Sequence, residues 1–209
     1  MKSPKSIKLL EELGRVRLSD SFFMRDMLYS EISNFYSIPN IPDYPDVAIK
    51  NGKALCENLL EPLQSKFGRI SVRSAYRSPT VNKFGNENKL SCASNESNYA
   101  KHIWDYPDAE GYQGALATIV VNNFVPYFEK TGDWQSLAWY IHDNLPYSNL
   151  YFYPKLGAFN IGWHEKPKKR IDSYIAPKRC LTKPDMDNHA GDHSDHYIDL
   201  LSAIEKQRL

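Results

Sequence analysis

The stretch "RISVRSAYRSPTVN", Arg69–Asn82, decides the predicted fold because it joins a strand to a helix through a short polar turn. Its first eight residues alternate in polarity and begin with β-branched positions, which indicates a strand. Ser78 is suited to cap the helix that follows, and Pro79 is suited to its first position. The turn therefore presents Tyr76, Arg77 and Ser78 at the end of a strand, where loop residues often converge on a cleft.

Upstream of this stretch the pattern is helical. Residues 47–68, "VAIKNGKALCENLLEPLQSKFG", carry apolar residues at helical spacing and end at Gly68, a good helix terminator. Pro62 is expected to bend this helix or to restart it. A further helix, "SFFMRDMLYSEISNFY", is predicted after the cap Ser19–Asp20, and the charged residues 1–18 are predicted to form an N-terminal arm.

Downstream, a buried strand and a hairpin are predicted. "GALATIVV", Gly114–Val121, is a continuous apolar run typical of a central strand, and a long polar loop is expected before it, over residues 85–101. A helix is expected from the cap Asp133 to Leu145, followed by a hairpin of "NLYFYP" and "AFNIGW" and by a last helix. This order predicts an α+β fold with a small, mainly antiparallel sheet flanked by helices, in a single domain spanning residues 19–209.

The composition excludes several classes of protein. The chain has 209 residues with 42% hydrophobic and 24% charged residues, as is ordinary for a globular protein, and its net charge of +1 favours neither a nucleic-acid nor a membrane partner. Cys56, Cys92 and Cys180 are too widely spaced for a zinc ribbon or a disulfide framework and fit a reducing compartment. No long apolar run or secretory signal is present, so we expect cytoplasmic synthesis without a signal peptide, with release by lysis or association with a virion as further expectations.

Two sequence settings place a histidine beside carboxylates. His102 precedes Asp105 and Asp108 by three and six residues in a predicted loop. Imidazole and carboxylate together suit Zn²⁺, whereas an Asx turn is the ordinary alternative. His164 and Glu165 follow the strand "AFNIGW", either as a metal ligand with its proton carrier or as the polar end of a strand.

A third setting is the segment "DMDNHAGDHSDHY" near the carboxyl end. It has the highest density of metal-ligand residues in the chain, and its histidines are His189, His193 and His196. His189 and His193 are four residues apart, which suits a metal-binding pair on a helix. Gly191 between them favours a loop, so a solvent-facing tail is the alternative. A site that joins one of these histidines to His164 is a further possibility, and His142 is predicted to be a helix histidine without a special role.

Taken together, these stretches resemble one family. "LEPLQSKFGRISVRSAYRSPTVN", residues 60–82, is similar to the L-x-P-L-R-x-x-F-G…I-x-V-x-S-G-Y-R-S-P-x-x-N segment of the D-Ala-D-Ala carboxypeptidase and Hedgehog-type zinc peptidases. "LSDSFFMRDMLYSE…IPNIPD" resembles the helix and loop that precede it, and "NIGWHEKP" resembles the Trp-His strand that supplies the last zinc ligand. The resemblance runs from about Leu18 to Pro167, and its Tyr-Arg-Ser-Pro segment is fairly specific.

The resemblance implies a Hedgehog/DD-peptidase-like fold and a metallopeptidase that cleaves bacterial cell-wall (peptidoglycan) peptides with Zn²⁺. It implies His102, Asp108 and His164 as the zinc ligands, with Asp105 as an alternative to Asp108. Such a site lowers the pKa of a bound water toward neutrality and polarises the scissile carbonyl.

The resemblance also implies residues that handle the substrate. Arg77 would hold the substrate carboxylate or the developing oxyanion, although an ordinary surface ion pair is an equal alternative. Its neighbours Tyr76 and Ser78 would line the substrate site, and Glu165 would take the proton of the attacking water.

Two positions depart from the family pattern. Thr118 stands where the family has its zinc-binding aspartate, and Ile161 stands where it has the glutamate that serves as general base. Neither side chain can replace the carboxylate chemically. They motivate a second hypothesis, a catalytically inactive structural or binding module of the same fold, used in a phage particle or in an assembly that binds the cell wall.

Overall fold

The chain is an α+β protein built on a six-stranded mixed sheet flanked by helices, as described by a computed structural model of residues 2–207. The strand order is β1-β2-β4-β3-β5-β6, and β3 pairs antiparallel with β4 but parallel with β5. The predicted α+β class is confirmed, and the parallel pair makes the sheet mixed. The strands are β1 (Ile70–Ser74), β2 (Gly114–Val121), β3 (Asn149–Phe152), β4 (Phe159–His164), β5 (Arg170–Ser173) and β6 (Arg179–Thr182).

Ten α-helices lie within the described residues. Most are short, and two consecutive ones, α4 and α5, are joined by a π-helical turn over Cys56–Leu60. The helices are α1 (Ile7–Gly14), α2 (Met24–Met27), α3 (Glu31–Tyr36), α4 (Pro45–Leu55), α5 (Glu61–Phe67), α6 (Pro79–Glu87), α7 (Asn95–Asn98), α8 (Val125–Thr131), α9 (Gln135–Asn144) and α10 (Ile198–Lys206).

The stretch from Arg69 to Asn82 forms the predicted strand, β1, and the start of the predicted helix, α6. The strand covers the central part of the predicted range, and the Ser78 hydroxyl accepts a hydrogen bond of 3.2 Å from the backbone N–H of Val81 at the start of α6. Upstream, Pro62 lies in the first turn of α5, so the predicted restart is confirmed. Gly68 ends that helix at φ 83°, a conformation that favours glycine.

Several elements differ from the prediction. The single helix predicted after Ser19–Asp20 is divided into α2 and α3, because Ser30 caps a new helix by accepting from the backbone N–H of Ser33 at 3.3 Å. The predicted polar loop of residues 85–101 contains α7, and α1 lies within the predicted arm. Helix α8 and strands β5 and β6 were not predicted.

The chain divides into two compact units. One comprises residues up to Glu57 together with Ser74–Ala117, and the other comprises Asn58–Arg73 and the chain from Thr118 onward.

Trp104 belongs to the first unit and is fully buried. Its indole N–H donates to the Leu116 carbonyl at 3.1 Å, and its own carbonyl accepts from the Asn51 side chain at 2.7 Å. A Cβ on Gly52 would lie only 2.8 Å from the Trp104 ring, so a glycine is required where α4 passes the indole.

In the second unit, the two faces of the sheet have different characters. Alternate residues along β3 and β4 point to the core, where the rings of Phe152 and Phe159 stack at 4.7 Å beside the buried Ile161. On the opposite face, Tyr151 lies directly across from Asn160 of β4 and is half-buried. This second face is polar and aromatic.

Within the described residues, none of the helices has both the length and the apolar character needed to cross a lipid bilayer.

Candidate functional site

His142, Asp143 and His193 form a candidate metal-binding triad in the second unit. His142 and Asp143 lie in the last turn of α9, and His193 belongs to the carboxyl-terminal segment that was predicted to be rich in ligands. One potential ligand atom from each residue lies within 4.8 Å of the other two. Two imidazoles and one carboxylate are a donor set that suits Zn²⁺ and other divalent transition metals.

Asp143 organises this triad. Its Oδ1 lies 2.7 Å from His193 Nδ1, and its Oδ2 accepts from the His193 backbone N–H at 3.0 Å and from the Tyr197 hydroxyl at 3.1 Å. The Trp139 ring stacks on the His193 ring with a centroid distance of 4.2 Å and an interplanar angle of 8°. The carboxylate and the imidazole are therefore both fixed in orientation.

Both imidazoles of the triad direct one nitrogen to a backbone carbonyl. His142 Nε2 lies 2.8 Å from the carbonyl of His189, and His193 Nε2 lies 3.1 Å from that of Asn188. Because a carbonyl only accepts, both Nε2 atoms carry protons. His142 Nδ1 then accepts from the Tyr147 hydroxyl at 2.7 Å. Burial lowers the pKa of His142, against the effect of the His189 carbonyl, and favours its neutral form.

His102, the first zinc ligand implied by the resemblance, is buried in the first unit. Its Nδ1 lies 2.8 Å from the carbonyl of Ala75 and donates to it. Burial lowers the pKa of His102 to about 3, with a further contribution from the positive charge of Arg77. The imidazole is therefore neutral at physiological pH, and a hydrogen bond fixes its tautomer.

The carboxylates of the two candidate aspartates that follow His102 already accept hydrogen bonds from backbone N–H groups. Asp105 is buried and accepts from the backbone N–H groups of Asp43 at 2.8 Å and Tyr44 at 3.1 Å. Burial raises the pKa of Asp105, while these hydrogen bonds oppose the rise. The carboxylate of Asp108 accepts from two backbone N–H groups of its own loop, at residues 110 and 112, both at 3.0 Å, which is the Asx-turn alternative.

The predicted substrate residues also have partners within the first unit. Arg77 Nη1 donates to the Asn82 side chain at 3.1 Å and lies 3.1 Å from Cys92 Sγ. Tyr76 is only 1% exposed, and its pKa is raised, chiefly by burial and then by the nearby Asp105. Ser78 is 3% exposed and caps α6.

In the second unit, His164 is the last residue of β4, and Glu165 follows the strand. His164 Nδ1 lies 2.9 Å from the carbonyl and 3.1 Å from the amide nitrogen of Lys166. The assignment of His102, Asp108 and His164 as zinc ligands, with Arg77 and Glu165 as catalytic residues, stays a prediction.

Thr118, the residue at the position of the family's aspartate, takes part in a neutral hydrogen-bond chain on the polar face of the sheet. Its hydroxyl donates to the Asn160 side-chain oxygen at 2.6 Å, and the Asn160 amide donates to the Tyr153 hydroxyl at 3.0 Å. Ile161, at the position of the family's glutamate, is fully buried in the core face.

The same face carries an aromatic cluster and a groove. The rings of Tyr151, Tyr153 and Tyr174 lie with centroids 4.7 to 5.8 Å apart, and Tyr174 is 54% exposed. Val120, two residues beyond Thr118 on β2, lines an open cavity of about 370 Å³. The cavity is lined by Ser71, Arg73, Val120, Asn122, Val125, Pro126 and Leu156.

Sequence reasoning did not place His142 in a candidate triad, because a histidine on an amphipathic helix is an ordinary residue. The available signal was the adjacent pair His142–Asp143 at the end of a helix, combined with the density of histidines after residue 188.

No protein-family model, no curated protein and no solved structure matches this chain. The peptidase family named from the motifs therefore stays a prediction.

Proposed function

We propose that this chain is a catalytically inactive module of the peptidase-like class, which binds bacterial cell-wall peptides without cleaving them. Thr118 and Ile161 support the loss of hydrolysis, because they put a neutral hydroxyl and a buried alkyl group where the family has its zinc-binding and proton-transferring carboxylates. A fold of this kind can keep a binding surface after its chemistry is lost.

The proposal of binding rests on the cavity of about 370 Å³ beside β1 and β2, which we call the groove. Arg73 lines it and is exposed, and among residues 2–207 its guanidinium has no hydrogen-bonding or ion-pair partner. Arg170 differs, because its Nε and Nη2 donate to the two carboxylate oxygens of Asp172, at 2.7 and 2.8 Å. Arg73 is therefore the arginine of this face that is available to hold a peptide carboxylate in a bidentate contact.

The lining of the groove favours a short peptide with a free carboxylate. Val125, Pro126 and Leu156 provide apolar contact, while Ser71 and Asn122 place polar groups at one wall, joined by a 2.8 Å hydrogen bond between their side chains. Cell-wall peptides combine small alkyl side chains with terminal carboxylates. The tyrosines on the same face offer rigid amphipathic surface for the rest of such a ligand.

The test is binding of the full chain to soluble cell-wall peptides, measured with Arg73→Ala and with the control Arg69→Ala. Arg69 is also exposed but lies outside the groove, so its replacement removes the same charge without removing the contact. We expect the Arg73 variant to lose roughly tenfold in affinity, about 1.4 kcal/mol, and the Arg69 variant to keep the affinity of the unmodified chain. Equal affinities of all three proteins, or no binding, contradict the proposal.

Hydrolysis is tested in parallel by incubating purified peptidoglycan with the protein, with added Zn²⁺ and with a chelator. The inactive module releases no soluble peptide under either condition. A product that forms with Zn²⁺ and disappears with the chelator contradicts inactivity and favours the zinc peptidase.

The zinc peptidase is the second candidate, and one observation favours it. A histidine that binds a metal usually donates its other ring N–H to a carbonyl or carboxylate, and His102 Nδ1 makes this contact with Ala75. The fit is partial, since the carboxylates of Asp105 and Asp108 already accept backbone hydrogen bonds. If this candidate holds, His102→Ala abolishes the chelator-sensitive product.

A further inference from the structure

We propose that His142, Asp143 and His193 bind one Zn²⁺ ion, which fastens the carboxyl-terminal segment to helix α9. This site is separate in sequence from the ligands that the resemblance implies, and it does not depend on the proposed binding function. His142 and Asp143 come from the helix and His193 from the segment, so one ion would join the two.

The distances allow an ion to enter with small movements of the side chains. Zn–N and Zn–O bonds of about 2.1 Å in a tetrahedron separate neighbouring ligand atoms by roughly 3.4 Å. His193 Nδ1 and Asp143 Oδ1 are 2.7 Å apart and would separate by less than an ångström as the ion replaces their shared proton. One nitrogen of His142 starts within 4.8 Å of the other two ligand atoms, so a small shift of this ring completes the set.

The hydrogen bonds that the triad residues make to neighbouring groups resemble those around a bound metal ion. His142 and His193 each donate Nε2–H to a backbone carbonyl, as a metal-bound histidine usually does. His142 Nδ1, which accepts from the Tyr147 hydroxyl at 2.7 Å, would exchange this hydrogen bond for the ion. Asp143 is held through Oδ2 by the His193 backbone and the Tyr197 hydroxyl, which leaves Oδ1 for the ion. These contacts orient all three side chains before an ion binds.

The site is also accessible, and its donor atoms suit zinc. The side chain of Asp143 is 14% exposed and that of His193 is 8% exposed, so the ligand atoms are within reach of solvent. Nitrogen and oxygen donors select Zn²⁺ over Mg²⁺ and Ca²⁺, which favour sets made only of oxygen. The triad would supply three ligands, so a fourth position would be left for a water molecule.

The experiment is a titration of the chelator-treated full chain with Co²⁺, followed by its visible absorption, and then displacement of Co²⁺ by Zn²⁺. We expect one ion per chain and an absorption band of tetrahedral Co²⁺. His193→Ala and His142→Gln should each weaken Zn²⁺ binding by at least about 100-fold, since each removes a ligand. Unfolding in the presence of a chelator verifies that each variant is folded.

His196→Ala is the matched control. His196 lies three residues after His193 and also stacks on Trp139, with a centroid distance of 5.6 Å, but it is outside the triad. Its variant should bind Zn²⁺ within about threefold of the unmodified chain, and Zn²⁺ should raise the melting temperature of both. Absence of Zn²⁺ binding by the folded chain overturns the proposal, as does a folded His193→Ala protein that binds as tightly as the control.

Discussion

Acidification from about pH 6.5 to about pH 4.5 is expected to destabilise this protein through His102. The pKa of this buried imidazole is about 3 in the folded chain, against 6.5 for an ordinary histidine. Between these two values the unfolded chain binds a proton that the folded chain does not. Stability from this residue is therefore fully present above about pH 6.5 and is lost as the pH falls toward 3.

The magnitude follows from the linkage between proton binding and unfolding. At pH 6.5 half of the unfolded chains already carry this proton, so the first pH unit of the fall costs about 1.0 kcal/mol and the second about 1.3 kcal/mol. The fall to pH 4.5 therefore costs about 2.3 kcal/mol from His102 alone. Burial also lowers the pKa of His142, so this residue adds to the acid destabilisation. The contribution of His102 must therefore be measured as a difference between two proteins.

The variant His102→Asn provides this difference. Asparagine places an amide N–H near the position of Nδ1, so it can still donate to the Ala75 carbonyl, but it cannot be protonated. Urea unfolding at the two pH values should show about 2.3 kcal/mol less acid destabilisation in the variant than in the unmodified chain. His164→Asn serves as control and should follow the unmodified chain. If His102→Asn loses as much stability on acidification as the unmodified chain, the neutral buried imidazole is refuted.

Three further substitutions test packing and capping by urea unfolding. Gly52→Ala should lower the free energy of unfolding by about 1–3 kcal/mol, because the added Cβ would lie 2.8 Å from the Trp104 ring. The control Lys53→Ala, on the exposed side of α4, should change it by less than about 0.5 kcal/mol, and equal effects of the two variants would contradict the contact. Asp133→Ala should lower the free energy of unfolding by about 0.5–2 kcal/mol, since its carboxylate accepts hydrogen bonds from two backbone N–H groups in the first turn of α9, at 2.9 and 3.1 Å. An unchanged stability would refute the cap. Ile161→Ala should cost about 2–5 kcal/mol through loss of a fully buried side chain, and a cost below about 1 kcal/mol would contradict its place in the core.

The elements that the sequence predicted well are those with strong local signals. Strand β2 has the predicted bounds because seven of its eight residues are buried, so a continuous apolar run had no competing interpretation. The start of α6 was predicted because Ser78 and Pro79 carry cap and first-turn chemistry within two residues.

The elements that were missed depend on contacts far along the chain. Strand β5 is only four residues long, and its pattern of Arg170, Ile171 and Asp172 resembles any polar loop with one apolar residue. It becomes a strand because Ile171 lies beside Leu150 in the parallel pairing with β3. Periodicity within the segment cannot report a pairing of this kind.

The candidate site was predictable only in part, for the same reason. The segment around His193 was identified from its density of histidines, but its partner His142 is 51 residues earlier and occupies an ordinary helical position. The contact between them requires the turn after α9 and the two strands β5 and β6 to bring the chain back to the helix. The density of histidines therefore identified one of the three residues of the triad.

The two metal hypotheses can be separated because their histidines have different chemistry. His102 has one nitrogen fixed on Ala75, and its carboxylate neighbours are engaged with backbone N–H groups. His193 instead shares its Nδ1 with a carboxylate that has a second oxygen fixed by other donors. If Zn²⁺ stabilises the fold through the triad, its loss in His193→Ala lowers the melting temperature without changing the affinity for cell-wall peptides. If Zn²⁺ instead serves hydrolysis, His102→Ala removes the reaction product, while His193→Ala leaves the chelator-sensitive product unchanged.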